Sequence, residues 1–271
     1  MTRITETFTQ LEERNEAALV GYITVGDPNL PQTPKLAASL IQGGADIIEL
    51  GIPFSDPIAD GPTIQGAVAR SLASGTKPLD ALNVAREIRQ QYNTPLVLMT
   101  YYNPIFRIGL KQFLGLAKES GISGIIVPDL PVEESADYKR ECSAAGVDTI
   151  FLASPSTDPQ RLDHILAQTS GYLYLISLYG VTGLRANLPD YALDLVKKYR
   201  TITAGSIPLA VGFGISAPEH VQRLVQAGAD GVIVGSAFVN IIGENSQDIP
   251  LASTKLEDLA RQMKKATKPE R

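Results

Sequence analysis

The carboxylates Glu49, Asp56 and Asp60 fall within one stretch, Asp-Ile-Ile-Glu-Leu-Gly-Ile-Pro-Phe-Ser-Asp-Pro-Ile-Ala-Asp-Gly-Pro at 46–62. Ile47, Ile48 and Leu50 make it begin as a buried strand, with Glu49 where a core residue is expected. Pro53, Pro57, Gly61 and Pro62 then forbid a regular element and leave the loop few backbone states. A carboxylate in an apolar strand is costly unless it is paired or protonated. Two readings follow: Glu49 is ion-paired in a core or points out at an edge, or it is a general acid/base whose pKa burial raises. The strand by itself favours neither. The stiff loop can hold a second carboxylate opposite the first, which is the pattern of acid–base chemistry.

Glycine-rich turns add a second kind of site. Gly180-Val181-Thr182-Gly183, Gly212-Phe213-Gly214-Ile215-Ser216 and Gly235-Ser236-Ala237 each follow an apolar run. Glycine lets backbone N–H groups approach oxyanions closely, so two such turns side by side suit a phosphate. The plainer reading is that they only make tight turns. Other chemistries lack residues. No lysine stands at a strand end to form an imine, and His164 and His220 fall in helical segments without metal-ligand spacing. What remains at strand ends is Glu49, Asp56, Asp60, Asp129, Tyr22, Tyr101, Tyr102 and Tyr174. Proton transfer on a phosphorylated substrate, without metal or cofactor in this chain, is the chemistry these residues allow.

The elements that must position them alternate in type. Apolar, β-favouring runs occur at 17–24, 47–50, 95–100, 124–127, 148–152, 172–177, 208–211 and 231–234. Helical patterns lie at 34–43, 63–71, 78–91, 111–119, 133–145, 159–168, 189–198 and 218–227, several stopped by Gly121, Gly146, Gly171 or Gly228. Continuous apolar strands separated by helices predict a parallel sheet. Eight such units predict an α/β fold, a (β/α)8 TIM barrel with its site at the C-terminal strand ends. A doubly wound open sheet is disfavoured because no Gly-x-Gly-x-x-Gly follows the first strand. Ile4, Phe8 and Leu11 lie on one face of a short N-terminal helix, expected to close the base.

The 271 residues are 44% apolar, with no linker or low-complexity tract, and are expected to form a single TIM-barrel domain over 1–271. A net charge of −5 argues against a nucleic-acid surface. No apolar run reaches the roughly 18 residues of a membrane span, and no signal-peptide core opens the chain. One cysteine, Cys142, suits a reducing compartment, so a cytoplasmic location is expected.

The motifs from Glu49 to Gln65, Pro128-Asp-Leu-Pro-Val-Glu-Glu134, Gly180-Val-Thr-Gly183 and Gly212-Phe-Gly-Ile-Ser216 closely resemble signatures of the tryptophan synthase α-subunit family. The likeness runs from Phe8 to Ile242. It implies a cofactor-free barrel that cleaves indole-3-glycerol phosphate to indole and glyceraldehyde 3-phosphate. It also implies a partner, a pyridoxal-phosphate β subunit in an α2β2 heterotetramer that turns indole into tryptophan. On this resemblance Glu49 is the proton shuttle and Asp60 the partner of the indole N–H. Tyr174 matches a tyrosine near Glu49, or is simply a core aromatic. The substrate contacts implied are Tyr22, Ile64, Met99, Thr182, Gly183, Gly212, Phe213, Gly214, Gly235 and Ser236. The partner surface implied includes Phe54, Asp56, Asn103 and Pro131. Leu178-Tyr179 is bulkier than the family pattern. A stand-alone lyase releasing free indole and an inactive barrel that activates a β subunit are the alternatives; intact Glu49 and Asp60 argue against the latter.

Overall fold

A computed structural model describes residues 2–176, 188 and 190–268 of the chain. Helix α1 (Arg3–Glu13) leads into β1 (Ala18–Thr24), α2 (Thr33–Gln42), β2 (Ile47–Gly51), α3 (Pro62–Ala73) and α4 (Asp80–Gln91). Then come β3 (Leu96–Met99), α5 (Tyr102–Ile108), α6 (Leu110–Glu119), β4 (Gly124–Ile126) and α7 (Ala136–Ala145). The chain continues through β5 (Asp148–Ile150), β6 (Leu152–Ala153), α8 (Pro159–Gln168), β7 (Leu173–Ile176), α9 (Asp190–Thr203), β8 (Leu209–Gly212) and α10 (Pro218–Gln226). It closes with β9 (Gly231–Val234), α11 (Ser236–Glu244) and α12 (Ile249–Ala266).

All strand pairs are parallel, in the order β5-β4-β3-β2-β1-β9-β8-β7-β6. The two ends of that order, β5 and β6, are halves of one strand interrupted at Phe151. The sheet therefore meets itself through the chain, and eight strand positions ring a (β/α)8 barrel. The expected fifth strand, 148–152, is thus split: its first half pairs with β4 and its second with β7. Helices α5, α11 and α12 were not legible in the sequence pattern. Pro104 sits in the first turn of α5, where its missing N–H breaks no helical bond. α12 is capped by the Asp248 carboxylate, which accepts from the Leu251 N–H at 3.1 Å.

Every residue of β1, β2, β4, β5, β8 and β9 is buried, as strands covered on both faces must be. Successive side chains take opposite faces. In β1 and β2, Leu19, Ile23, Ile48 and Leu50 pack outward against the helices. Val20 and Ile47 point into the barrel, with Val97, Ile126, Ile150, Tyr172, Ala210 and Ile233. Ile4, Phe8 and Leu11 of α1 join this inner cluster and close the base, as expected from their spacing. The Thr2 hydroxyl accepts from the Thr5 N–H and caps that helix. Among the described residues, no helix is long and apolar enough to cross a membrane.

Phe8 meets Tyr172 with ring centroids 5.9 Å apart and is nearly buried. Phe8→Ala would leave a cavity under the barrel floor, and we expect a loss of about 3–5 kcal/mol in denaturant unfolding.

Candidate active site

Glu49 is the third residue of β2 and shares the inward parity of Ile47, so its carboxyl group enters the barrel above the apolar floor. It is fully buried. Oε1 accepts from the Tyr172 hydroxyl at 2.5 Å, whereas Oε2 has no partner among the described residues. Burial raises its pKa to about 7, against the opposing pull of the Tyr172 hydrogen bond. Protonated and ionised forms are therefore both accessible near neutrality, with one oxygen left for a ligand.

Asp60 lies at the end of the loop joining β2 to α3 and is nearly buried. Its Oδ2 accepts from the Tyr101 hydroxyl at 3.0 Å, and the same hydroxyl accepts from the Ala59 N–H at 2.9 Å. Tyr101 stacks on Phe54 with centroids 5.3 Å apart. The Gln65 amide donates to the Asp60 carbonyl at 2.8 Å. One tyrosine after β3 thus pins both ends of the loop. Burial raises the Asp60 pKa to about 6, again opposed by its tyrosine. The two carboxyl groups titrate close together but in the order that leaves Asp60 ionised while Glu49 keeps its proton.

The structure also gathers residues the sequence only named. Tyr22, Ile64 and Met99 form one small apolar cluster with Ala67, Val68 and Val239, a wall shared by β1, α3, β3 and α11. Tyr22 pairs in register with Glu49, and its hydroxyl bonds Thr24 Oγ1 at 3.3 Å. A Cβ at Gly51 would stand 2.1 Å from that hydroxyl, so the glycine is a steric necessity. Burial, chiefly, together with the nearby Glu49 carboxylate, pushes the hydroxyls of Tyr22, Tyr172 and Tyr174 well above the ordinary tyrosine range. They remain donors.

Tyr174 is one inward position above Tyr172, but Tyr172 makes the bond to Glu49. The Tyr174 hydroxyl instead lies over Gly212, 2.8 Å from where a Cβ would be. The sequence signal for Tyr172 was its shared parity with Tyr174. Further round the same rim Gly212 ends β8, Gly214 has φ +69°, and Gly235 immediately precedes α11. The N–H groups of Ser236 and its successors in the first turn are free of helical acceptors and carry the positive end of the helix dipole. Phe213 turns outward into the helix layer, so only its backbone belongs to this rim. Thr182 and Gly183, with the 178–179 pair, lie outside the described residues.

Asp56, Asn103 and Pro131 are exposed and Phe54 half-buried; they follow the adjacent strands β2, β3 and β4, Asn103 in the first turn of α5 and the others on loops. Two residues not singled out in the sequence join them: Ile58 is 78% exposed and Phe106 72%. Asp129 anchors this side, accepting from the Tyr102 N–H at 2.8 Å. Cys142 is buried and its thiol is pushed up to about 12, so it stays protonated. No cluster of three or more metal-ligating side chains occurs among the described residues.

A (β/α)8 barrel with two perturbed carboxyl groups and a helix start with free N–H groups at the same C-terminal rim defines a class: barrel enzymes that move protons on phosphorylated substrates. Comparison with known proteins narrows the class. The sequence model of the tryptophan synthase alpha chain matches residues 8–268, and the chain belongs to that family. It is 48% identical to the tryptophan synthase alpha chain of Methanosarcina mazei over 262 residues, 97% of this chain and 93% of that one. It is 41% identical to the alpha chain of Arabidopsis thaliana over 263 residues, covering 97% and 94%. Among solved structures, Mycobacterium tuberculosis tryptophan synthase superposes with a TM-score of 0.90 at 33% identity, covering 99% of both chains. The tryptophan synthase complex of Pyrococcus furiosus gives 0.85 at 42% identity, covering 92% of this chain and 98% of that one.

The raised Glu49 pKa has a stability consequence. Between its ordinary value of 4.5 and about 7 the folded state binds the proton that the unfolded state releases, so stability falls as pH rises through that window. Glu49→Gln removes this penalty. At pH 8 the variant should be more stable than the wild type by up to roughly 3 kcal/mol, and the difference should vanish near pH 4.5, read from denaturant midpoints.

Proposed function

We propose that this chain is the α subunit of a tryptophan synthase, cleaving indole-3-glycerol phosphate to indole and glyceraldehyde 3-phosphate. The observation that carries this reading is the buried Glu49 carboxyl group with one oxygen held by Tyr172 and the other unpartnered, beside an Asp60 poised to stay ionised. A carbon–carbon cleavage needs an electron sink, and the indole ring supplies it once ring carbon 3 is protonated. Glu49 delivers that proton from Oε2. Asp60 accepts the ring N–H and balances the positive charge of the indoleninium. Glu49, now a carboxylate, takes the proton of the adjacent glycerol hydroxyl. The O–H electrons become the aldehyde C=O, and the C–C bond electrons return to the ring as indole leaves. Protons and electrons balance within the substrate and one carboxyl group, so this chain needs no cofactor for the step.

The phosphate rests, on this reading, at the start of α11 with the Gly212–Gly214 turn, and the ring lies against Tyr22, Ile64 and Met99. The partner is a β subunit carrying pyridoxal phosphate, which consumes the indole in an α2β2 assembly in the cytoplasm. Exposed Ile58 and Phe106, beside Phe54, Asp56, Asn103 and Pro131, support docking on the rim that also carries Asp60. That rim favours a subunit over a stand-alone lyase, since the exposed apolar side chains there have no cover among the described residues.

Glu49→Gln should lower indole release at least about a hundredfold, the usual weight of one general acid/base, and Asp60→Asn should lose activity with it. Near-normal turnover by the purified Glu49 variant would sink the assignment. The wild-type kcat/KM should be bell-shaped, falling below about pH 6 as Asp60 gains a proton and above about pH 7 as Glu49 loses its own. Docking by the rim makes a separate forecast. Ile58→Asp should leave the isolated chain's basal rate nearly unchanged and abolish most of the activation by an added β subunit; equal loss in both rates would reject it.

A further inference from the structure

A charged contact away from the reacting groups ties the two halves of this site together. Arg70, late in α3, forks onto Asp27 in the loop between β1 and α2: Nε to Oδ1 is 2.7 Å and Nη2 to Oδ2 is 2.8 Å. The Asp27 side chain is 0% exposed. A bidentate arginine–carboxylate pair is stiff as well as strong. The guanidinium also lies on α11. A Cβ built at Gly243 would stand 3.0 Å from Nη2, 3.2 Å from Cζ and 3.3 Å from Nη1. The group thus fills a slot between the β1–α2 loop and α11, and a Cβ at Gly243 would push it aside by a few tenths of an ångström.

The helices it joins both begin at the site. α3 starts two residues after Asp60, and α11 starts at Ser236. Arg70 is about 12 Å along α3 from its start, and Gly243 about 10 Å along α11. Nearer the site the same helices touch through Ile64, Ala67 and Val68 against Val239. Apolar contact is non-directional and leaves the spacing of two helices adjustable. At the far ends the spacer between them is the Arg70 guanidinium, which the fork to Asp27 holds in one place against Gly243. Ser71 Oγ donates to the Val25 carbonyl at 2.6 Å and Ser74 Oγ to the Gly26 carbonyl at 3.2 Å, so α3 stays on that loop without Arg70. What Arg70 adds is a stiff second contact between α3 and α11, at the ends away from the site.

We propose that the Asp27–Arg70 pair, wedged against Gly243, is a positioning device that keeps the Asp60 end and the phosphate end of the site in register. The proposal rests on the reading of the site given above. A single substrate must reach both ends at once, and misplacement by a fraction of an ångström is felt only by a ligand that spans them.

The test compares the wild type with Arg70→Lys, which keeps a charge on Asp27 but loses the fork, and Gly243→Ala, which keeps the pair but crowds it. Gly243→Ala also replaces a helix-interior glycine with the better helix former, so a loss there does not come from a weakened helix. Cleavage of indole-3-glycerol phosphate is measured with saturating β subunit. Binding of glycerol 3-phosphate and of indole, each reporting one end, is measured on the full chain by calorimetry. We expect kcat/KM to fall about tenfold in Arg70→Lys and about threefold in Gly243→Ala, with both half-ligand affinities within about twofold of wild type. Wild-type kcat/KM in both variants would overturn the proposal and leave the pair a support of the fold. So would a loss accounted for by one half-ligand alone. Failure of the wild-type complex to cleave the substrate would instead count against the reading of the site.

Discussion

Glu49 shares the inward parity of Ile47 in β2, and the barrel wall leaves its carboxyl group one hydroxyl partner, that of Tyr172. Much of the site follows from this constraint. A fully buried carboxyl group with a single hydrogen bond sits near the pH at which it can both give and take a proton. A second hydrogen bond or an ion pair would hold it ionised and end its use as an acid. The neighbouring tyrosines keep their protons because burial and the carboxyl groups together oppose losing them. The buried tyrosines around Glu49 thus stay neutral while the carboxyl group exchanges its proton.

Asp60 shows the complementary solution. It is carried by a loop, which a strand-borne residue cannot match for reach, but prolines and the Tyr101 hydroxyl take away the freedom a loop usually has. Tyr101 accepts from the loop backbone and donates to the loop carboxylate, so one side chain sets both the position of Asp60 and part of its acidity. The same loop exposes Ile58, which puts an uncovered apolar side chain within two residues of the Asp60 carboxylate. On the function proposed above, binding at that surface would bear directly on the order of the carboxylate.

The barrel divides its labour along its axis. The base is closed by α1 and by charge: Lys264 of α12 reaches Asp46 at 2.9 Å and Glu16 at 3.2 Å, and Asp46 accepts from the Leu19 N–H at 2.7 Å. These contacts hold the strand starts and need not move. The opposite rim holds the glycine turns, the helix starts and the two carboxyl groups. Gly51 and Gly212 are bare because tyrosine hydroxyls occupy the space a Cβ would take, so the upper layer is packed by rings reaching across strands.

The sequence by itself determined a good deal. The alternation of strands and helices predicted the barrel, the apolar run around Glu49 marked a carboxylate where a core residue is expected, and the prolines announced a rigid loop carrying Asp60. These features are local, written in residues a few positions apart, where backbone sterics and alternation act directly. Tertiary structure decided the rest. Which tyrosine holds Glu49 depends on a contact between residues 123 positions apart, and Tyr172 and Tyr174 have the same parity. The break at Phe151 appears only when β5 and β6 choose different neighbours. Phe213 looks like a site residue in its glycine-rich motif, yet packs outward because the helix layer has room for its ring. Arg70 reads as a helix-surface charge until Asp27, 43 positions earlier, closes on it. Such choices are made by the distance at which strands and helices settle, a quantity no local pattern carries.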